Sequence, residues 1–142
     1  QHGIDMQMPA SHPFNPLSLL RRAIVCHDDG LPNRFVTVTI FRHVWRGGLD
    51  AADPARLQAL VQQLAPRRDL QQAEVKHQLR QFTDEALVLG LFGVPTLVVD
   101  GKVFWGFDAL PMLADHLAGG DWFADDAWKA AADRPVGIHR PG

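Results

Sequence analysis

The most constraining stretch of this chain is Phe92-Gly93-Val94-Pro95-Thr96-Leu97-Val98-Val99-Asp100-Gly101-Lys102-Val103. Thr96 to Val99 is short, apolar and rich in β-branched residues, which predicts a buried strand. Asp100-Gly101 is a two-residue hairpin signal, and Lys102-Val103-Phe104 returns as the partner strand. Pro95 stands at the strand entrance, where it lacks a ladder N–H and so needs a reason to be there. A cis peptide in a tight, functional loop is one such reason.

A hairpin by itself is marginally stable at best. The rest of the chain, however, reads as helices. Residues 4–16 hold Pro9, Pro13 and Pro16 and predict an extended, turn-rich connection. Leu17, Leu20, Ala23, Ile24 and His27 then make one helical face, ended near Asp28-Asp29-Gly30. Val36-Thr37-Val38-Thr39-Ile40 alternates like a strand, yet Phe35, Val38, Arg42 and Trp45 recur at helical spacing between Pro32-Asn33 and Gly47-Gly48. The reading leans to helix. Asp53-Pro54 is an N-cap followed by proline at the first helical position, with Leu57, Leu60, Val61 and Leu64 on one face. A longer helix is predicted over 71–89, with Val75, Leu79, Phe82, Ala86 and Leu89 as its stripe. Asp108 can cap a last helix carrying Leu110, Leu113, Ala114 and Leu117, before a tail with Trp122, Phe123 and Trp128. So many helices and a single hairpin imply that strands upstream of Gln1, or another chain, pair with the hairpin's free edge.

Net charge of −2 leaves no basic field, so nucleic acid and an anionic membrane are poor partners. No apolar run approaches the ~18 residues of a membrane span. The one cysteine, Cys26, excludes a C-x-x-C motif within these residues and fits a reducing, cytoplasmic compartment. Its place by an apolar helix face predicts a buried, inert thiol. The seven histidines include no H-x-x-x-H or H-E-x-x-H pair, so no metal site is expected. Arg21-Arg22 and Arg67-Arg68 read as solvated helix ends, and Trp105 as a packing residue or a pocket wall.

A helix, Phe-Gly-Val-Pro-Thr, a strand, Asp-Gly, a strand, then Phe-Trp-Gly-x-Asp and a helix resembles the closing half of a thioredoxin fold. More narrowly, the chain resembles the glutathione-dependent 2-hydroxychromene-2-carboxylate isomerases, relatives of kappa-class glutathione transferases and DsbA-like oxidoreductases. The likeness takes in Pro13-Phe14-Asn15-Pro16-Leu17 and Trp45-Arg46-Gly47-Gly48-Leu49-Asp50, and is strongest from Thr83-Asp84-Glu85-Ala86 to Asp108. It implies an α/β, thioredoxin-like fold with an inserted helical domain and the first strand-helix-strand half missing from this chain. The implied organisation is a connection over 1–16, the helical insertion over 17–70, the closing thioredoxin half over 71–120 and a tail over 121–142.

Carried over residue by residue, the resemblance makes Pro95 the cis-proline and pairs the Val94 backbone, strand fashion, with the cysteinyl part of glutathione. Asp108 resembles the acid that meets the γ-glutamyl amine, with nearby helical N–H groups receiving its carboxylate. Phe107 stands in the same cofactor site, where relatives usually carry Gln or Ser, so that side-chain ligand is gone. Asn15 and Trp45 fall on the substrate side. The serine that would activate the glutathione thiol is expected upstream of Gln1, so no catalytic residue is assigned. The implied protein is an isomerase of a small aromatic substrate, with a homodimer possible through the open edge. A DsbA-like thiol–disulfide oxidoreductase, a glutathione transferase and a non-catalytic thioredoxin-fold binding protein remain alternatives.

Overall fold

A computed structural model of the chain describes residue 3 and residues 5–120. In chain order the described elements are α1 (Leu17–Val25), α2 (Arg34–Trp45), α3 (Pro54–Leu64), α4 (Ala73–Val88), β1 (Thr96–Val99), β2 (Lys102–Trp105), a 3-10 turn (Phe107–Ala109) and α5 (Leu110–Leu117). They fall into two compact units, Gln1–Ala86 and Leu87–Gly142. The tail expected from Asp121 on lies outside the described residues.

In the first unit, helix starts are set by local chemistry. Asn33 Oδ1 accepts from the Val36 N–H at 3.0 Å and Asp53 Oδ1 from the Arg56 N–H at 2.8 Å, each satisfying an orphan donor of a first turn. The ambiguous stretch 36–40 is helical. Helix propensity separates Val and Thr from Ala by at most about 0.7 kcal/mol per residue, whereas burying one Val or Leu side chain is worth about 1.5–3 kcal/mol. Helical winding puts Val36, Thr39 and Val44 into one core with Leu19, Cys26, Ala51, Leu60 and Leu64. The same winding turns Phe35 outward, 54% exposed, so the expected stripe through Phe35 and Val38 is displaced by one to two positions.

A similar correction applies to α1. Leu17 and Leu20 are exposed, and Leu19, Ile24 and Val25 are buried instead. The rotation has a cause in how α1 ends. The Val25 carbonyl accepts from the N–H groups of Arg67 (2.9 Å) and Arg68 (3.2 Å), and Arg68 Nη2 donates to the Ile24 carbonyl at 2.7 Å. Arg68 is therefore no solvated helix end: it caps the last carbonyls of α1, where a cation is favoured. Ile24, Val25 and Val75 form a second small core beneath it, with Leu70, Leu79 and Phe82 packed around. Arg67 does stay exposed, 3.4 Å from Asp28. Cys26 is 5% exposed and its thiol donates to the Arg22 carbonyl, while burial pushes its pKa up, as an inert thiol requires.

His43 titration should be visible in this unit's stability. Its Nε2 lies 2.9 Å from the Ala51 carbonyl, so that nitrogen carries the proton, and burial lowers the imidazole's pKa despite that bond. A base whose folded pKa is depressed binds protons more readily when unfolded, so stability is full above about pH 6.5 and falls as pH drops towards the folded value. Chemical denaturation between pH 7.5 and 5 should show this fall, and His43→Gln should flatten it. An unchanged slope in the variant would assign the pH dependence to other groups.

The second unit is built on the hairpin. Asp100 and Gly101 take φ of 50° and 73°, the left-handed pair a type I′ turn needs, and Thr96 to Val99 pairs antiparallel with Lys102 to Trp105. Alternation sends Phe104, 1% exposed, to one face, where its ring stands 5.7 Å from that of His116 on α5. Trp105 faces the other way. β1 is not the buried strand expected: Leu97 and Val98 are each 38% exposed, because the described sheet has only two strands, both with an open edge.

Candidate functional site

The loop before β1 combines a cis peptide with two hydrogen bonds. The Val94–Pro95 peptide is cis, as expected from its place at the strand entrance. The Thr96 hydroxyl donates to the Gly93 carbonyl at 2.5 Å, and the Gly106 N–H donates to the Pro95 carbonyl at 2.9 Å. The second bond ties Pro95 to the turn that carries Phe107 and Asp108, which sets the loop beside that turn. Pinned between these anchors, Val94 is 89% exposed, and its backbone N–H and carbonyl make no hydrogen bond among the described residues. An exposed, unpaired peptide unit next to a strand is a template for pairing with an extended ligand.

One member of this loop went unread in the sequence. A Cβ on Gly93 would lie 2.5 Å from Trp105 Nε1, so the indole lies directly over the glycine backbone. Phe92 packs beside it, its ring centroid 5.0 Å from that of Trp105. The signal was present as a glycine before Val-Pro facing a tryptophan two strands' length on, but only the register makes them neighbours. Gly93→Ala should expel the indole, lowering near-UV ellipticity and disturbing the Val94 platform. An unaltered Trp105 indole resonance in the variant would refute that packing.

Asp108 differs from its expected role as a helix cap. It sits inside the 3-10 turn, α5 has Ala109 as its N-cap with no side-chain cap bond, and the Asp108 carboxylate makes no hydrogen bond or ion pair among the described residues. The reason is geometric: a cap needs extended backbone, and the 3-10 turn winds residue 108 into the helical region. Phe107 is 64% exposed beside it. Both line an open cavity of about 490 Å³ with Leu110, Pro111 and Ala114.

The two residues assigned to the substrate side belong to the first unit. Asn15 Oδ1 accepts from the Leu17 N–H at 3.0 Å and so shapes the start of α1. Trp45 closes α2, its carbonyl taking the Gln7 N–H at 2.8 Å and its ring lying 5.9 Å from His12. It also lines a cavity of about 530 Å³ with Met6, Val38, Phe41, Arg42 and Arg46 among others. Asp50 is structural: its Oδ1 accepts from the Ala52 N–H, and its carbonyl accepts from Arg56. Among the described residues no helix is long and apolar enough to cross a membrane.

The DSBA-like thioredoxin domain family matches residues 1–118. A similar protein is a 2-hydroxychromene-2-carboxylate isomerase of Sphingobium xenophagum, 28% identical over 122 residues, which are 82% of this chain and 61% of the relative. The chain thus spans less than two thirds of that relative's length. No solved structure matches it. With the family match running through the helical unit, the Val94–Pro95 loop, the hairpin and α5, the chain belongs to the DsbA-like thioredoxin domain family.

Proposed function

We propose that this chain is the ligand-receiving part of a glutathione-dependent isomerase acting on an aromatic-ring degradation product. The observation that carries the reading is Val94: an exposed residue in a braced loop, with both backbone groups unpaired among the described residues. Such a unit suits the cysteinyl backbone of glutathione, which offers the complementary donor and acceptor. Similarity to a 2-hydroxychromene-2-carboxylate isomerase supports an isomerase and a carboxylate-bearing substrate. In that chemistry the glutathione thiolate adds to a conjugated double bond, forming a C–S bond and leaving a single bond free to rotate. Expulsion of the thiolate then restores the double bond, with no net redox change. The protein's part is to orient both reactants and favour the thiolate.

A thiol–disulfide exchange needs a reactive cysteine, and Cys26 is buried with a raised pKa, so this chain's own thiol does not supply one. The test is titration of isotopically labelled protein with reduced glutathione. Saturable shifts of the Val94 and Gly93 amides, absent with a peptide lacking a backbone N–H at the cysteinyl position, are expected. No shift at Val94 at millimolar glutathione would overturn the assignment.

A further inference from the structure

We propose that the cleft between α2 and α3 binds a small dianion, a phosphomonoester or a dicarboxylate, through the guanidinium groups of Arg42 and Arg56 and the Thr39 hydroxyl. The inference stands apart from the Val94 reading, because every residue it uses belongs to the first unit. Thr39, Arg42, His43, Arg56 and Gln63 supply the polar lining of a cavity of about 280 Å³, and no acid lines it. That volume falls just below the roughly 300–1,000 Å³ of drug-sized sites, so it suits a small ligand. Thr39 is 7% exposed, the one buried polar residue among the described residues, and its hydroxyl makes no hydrogen bond among them. Buried side-chain polar groups are in the large majority paired, so a hydroxyl left over at a cavity wall marks a ligand position.

The charges at this wall call for an anion. Arg56 is clamped in place, Nη1 donating to the Asp50 carbonyl and Nη2 to the His43 carbonyl at 2.5 Å. These bonds occupy two of its five N–H donors, and neither acceptor carries a full charge. The negative end of α2 offsets about half an elementary charge. Neither Arg42 nor Arg56 has a carboxylate partner, since the ion pairs among the described residues are Arg67–Asp28 and His116–Asp100. The His43 imidazole reports the same imbalance. Burial is the largest cause of its lowered pKa, with the Ala51 carbonyl opposing. The charges of Arg56 and Arg22 lower it further, and each outweighs the raising effect of Asp53. Guanidinium forks match carboxylate and phosphoryl oxygens, and two of them match a double charge.

Methyl phosphate, malonate, acetate and chloride should be titrated into the isotopically labelled full chain at pH 7.5 and constant ionic strength. Saturable shifts of the Arg56 Nε–H and of the Thr39 and His43 amides are expected with a dianion. Acetate should bind about fivefold more weakly and chloride should leave these signals in place. A response to methyl phosphate alone assigns a phosphoryl ligand, and a response to malonate alone a dicarboxylate. Arg42→Gln should weaken the dianion about fivefold and Thr39→Val about three- to tenfold. Arg42 is exposed and Val keeps the shape of Thr, and unchanged melting temperatures check that both variants fold. Sulfate in place of chloride should raise the His43 pKa, because a bound anion favours the imidazolium against Arg22 and Arg56 and in concert with Asp53. Equal shifts with acetate or chloride would overturn the site. So would dianion affinity unchanged in either variant, or a His43 pKa that sulfate does not move.

Discussion

Replacing Phe104 with alanine is expected to unfold the hairpin and α5 together, at a cost of about 3–5 kcal/mol. Whole domains are stable by only about 5–15 kcal/mol, so this is a large share. The second unit has little else to lose: among its described residues only Phe104 and Leu113 are buried hydrophobics. Phe104 stands opposite Leu97 in the ladder and packs its ring against His116 of α5, so one side chain ties strand to helix. Hydrogen exchange of the β1 and β2 amides is the direct measurement. Protection should vanish in Phe104→Ala while the amides of α2 and α3 stay protected. Retained protection across the ladder would mean that the hairpin does not depend on this contact. Without it the Val94 platform has no fixed partner strand, so ligand binding should be lost in parallel.

Gly30→Ala is expected to destabilise the first unit by about 2–3 kcal/mol, from a left-handed backbone that costs a Cβ-bearing residue about 1–2 kcal/mol and from lost hydrogen bonds of about 0.5–1.5 kcal/mol each. Gly30 is buried with φ of +77°, and a Cβ there would fall within 2.6 Å of Gln78 Oε1. Gln78 cannot move freely, because its Nε2 donates to the Asp29 carbonyl at 2.7 Å and its Oε1 accepts from Arg68 at 3.0 Å. Displacing it would loosen the clamp by which Arg68 holds the end of α1. A thermodynamic cycle separates the two costs. In a Gln78→Ala background, Gly30→Ala should cost only the backbone strain. Equal costs in both backgrounds would remove Gln78 from the account.

Much of the local structure was legible because its determinants lie within four residues of one another. Asn33 and Asp53 cap by reaching N–H groups three positions on, and Asp100-Gly101 turns because its own backbone permits positive φ. The helix over 34–45 was legible from Phe35, Val38, Arg42 and Trp45 at helical spacing between its end signals, although the face it buries is that of Val36, Thr39 and Val44. Which side faces inward was less legible. In α1 the apolar residues go nearly all round, and Leu17, Leu19 and Leu20 compete on composition alone. Arg68 resolves the competition from 44 residues away, by gripping the Ile24 carbonyl. No local pattern encodes that distance.

The site divides along the same line. By itself the sequence determined the elements and the loop chemistry: the hairpin, the glycine and proline of Gly-Val-Pro-Thr, and the likeness to a thioredoxin fold that the family match bears out. Those features depend on backbone torsions and nearest-neighbour hydrogen bonds, which short motifs specify. Only the tertiary structure decided which groups are left unsatisfied. It showed the Val94 peptide without a hydrogen-bond partner among the described residues, the Trp105 indole laid over Gly93, and Asp108 released from capping to stand with Phe107 at one cavity. Whether a polar group is spent or available depends on everything packed around it, and that sum over distant residues is what folding adds.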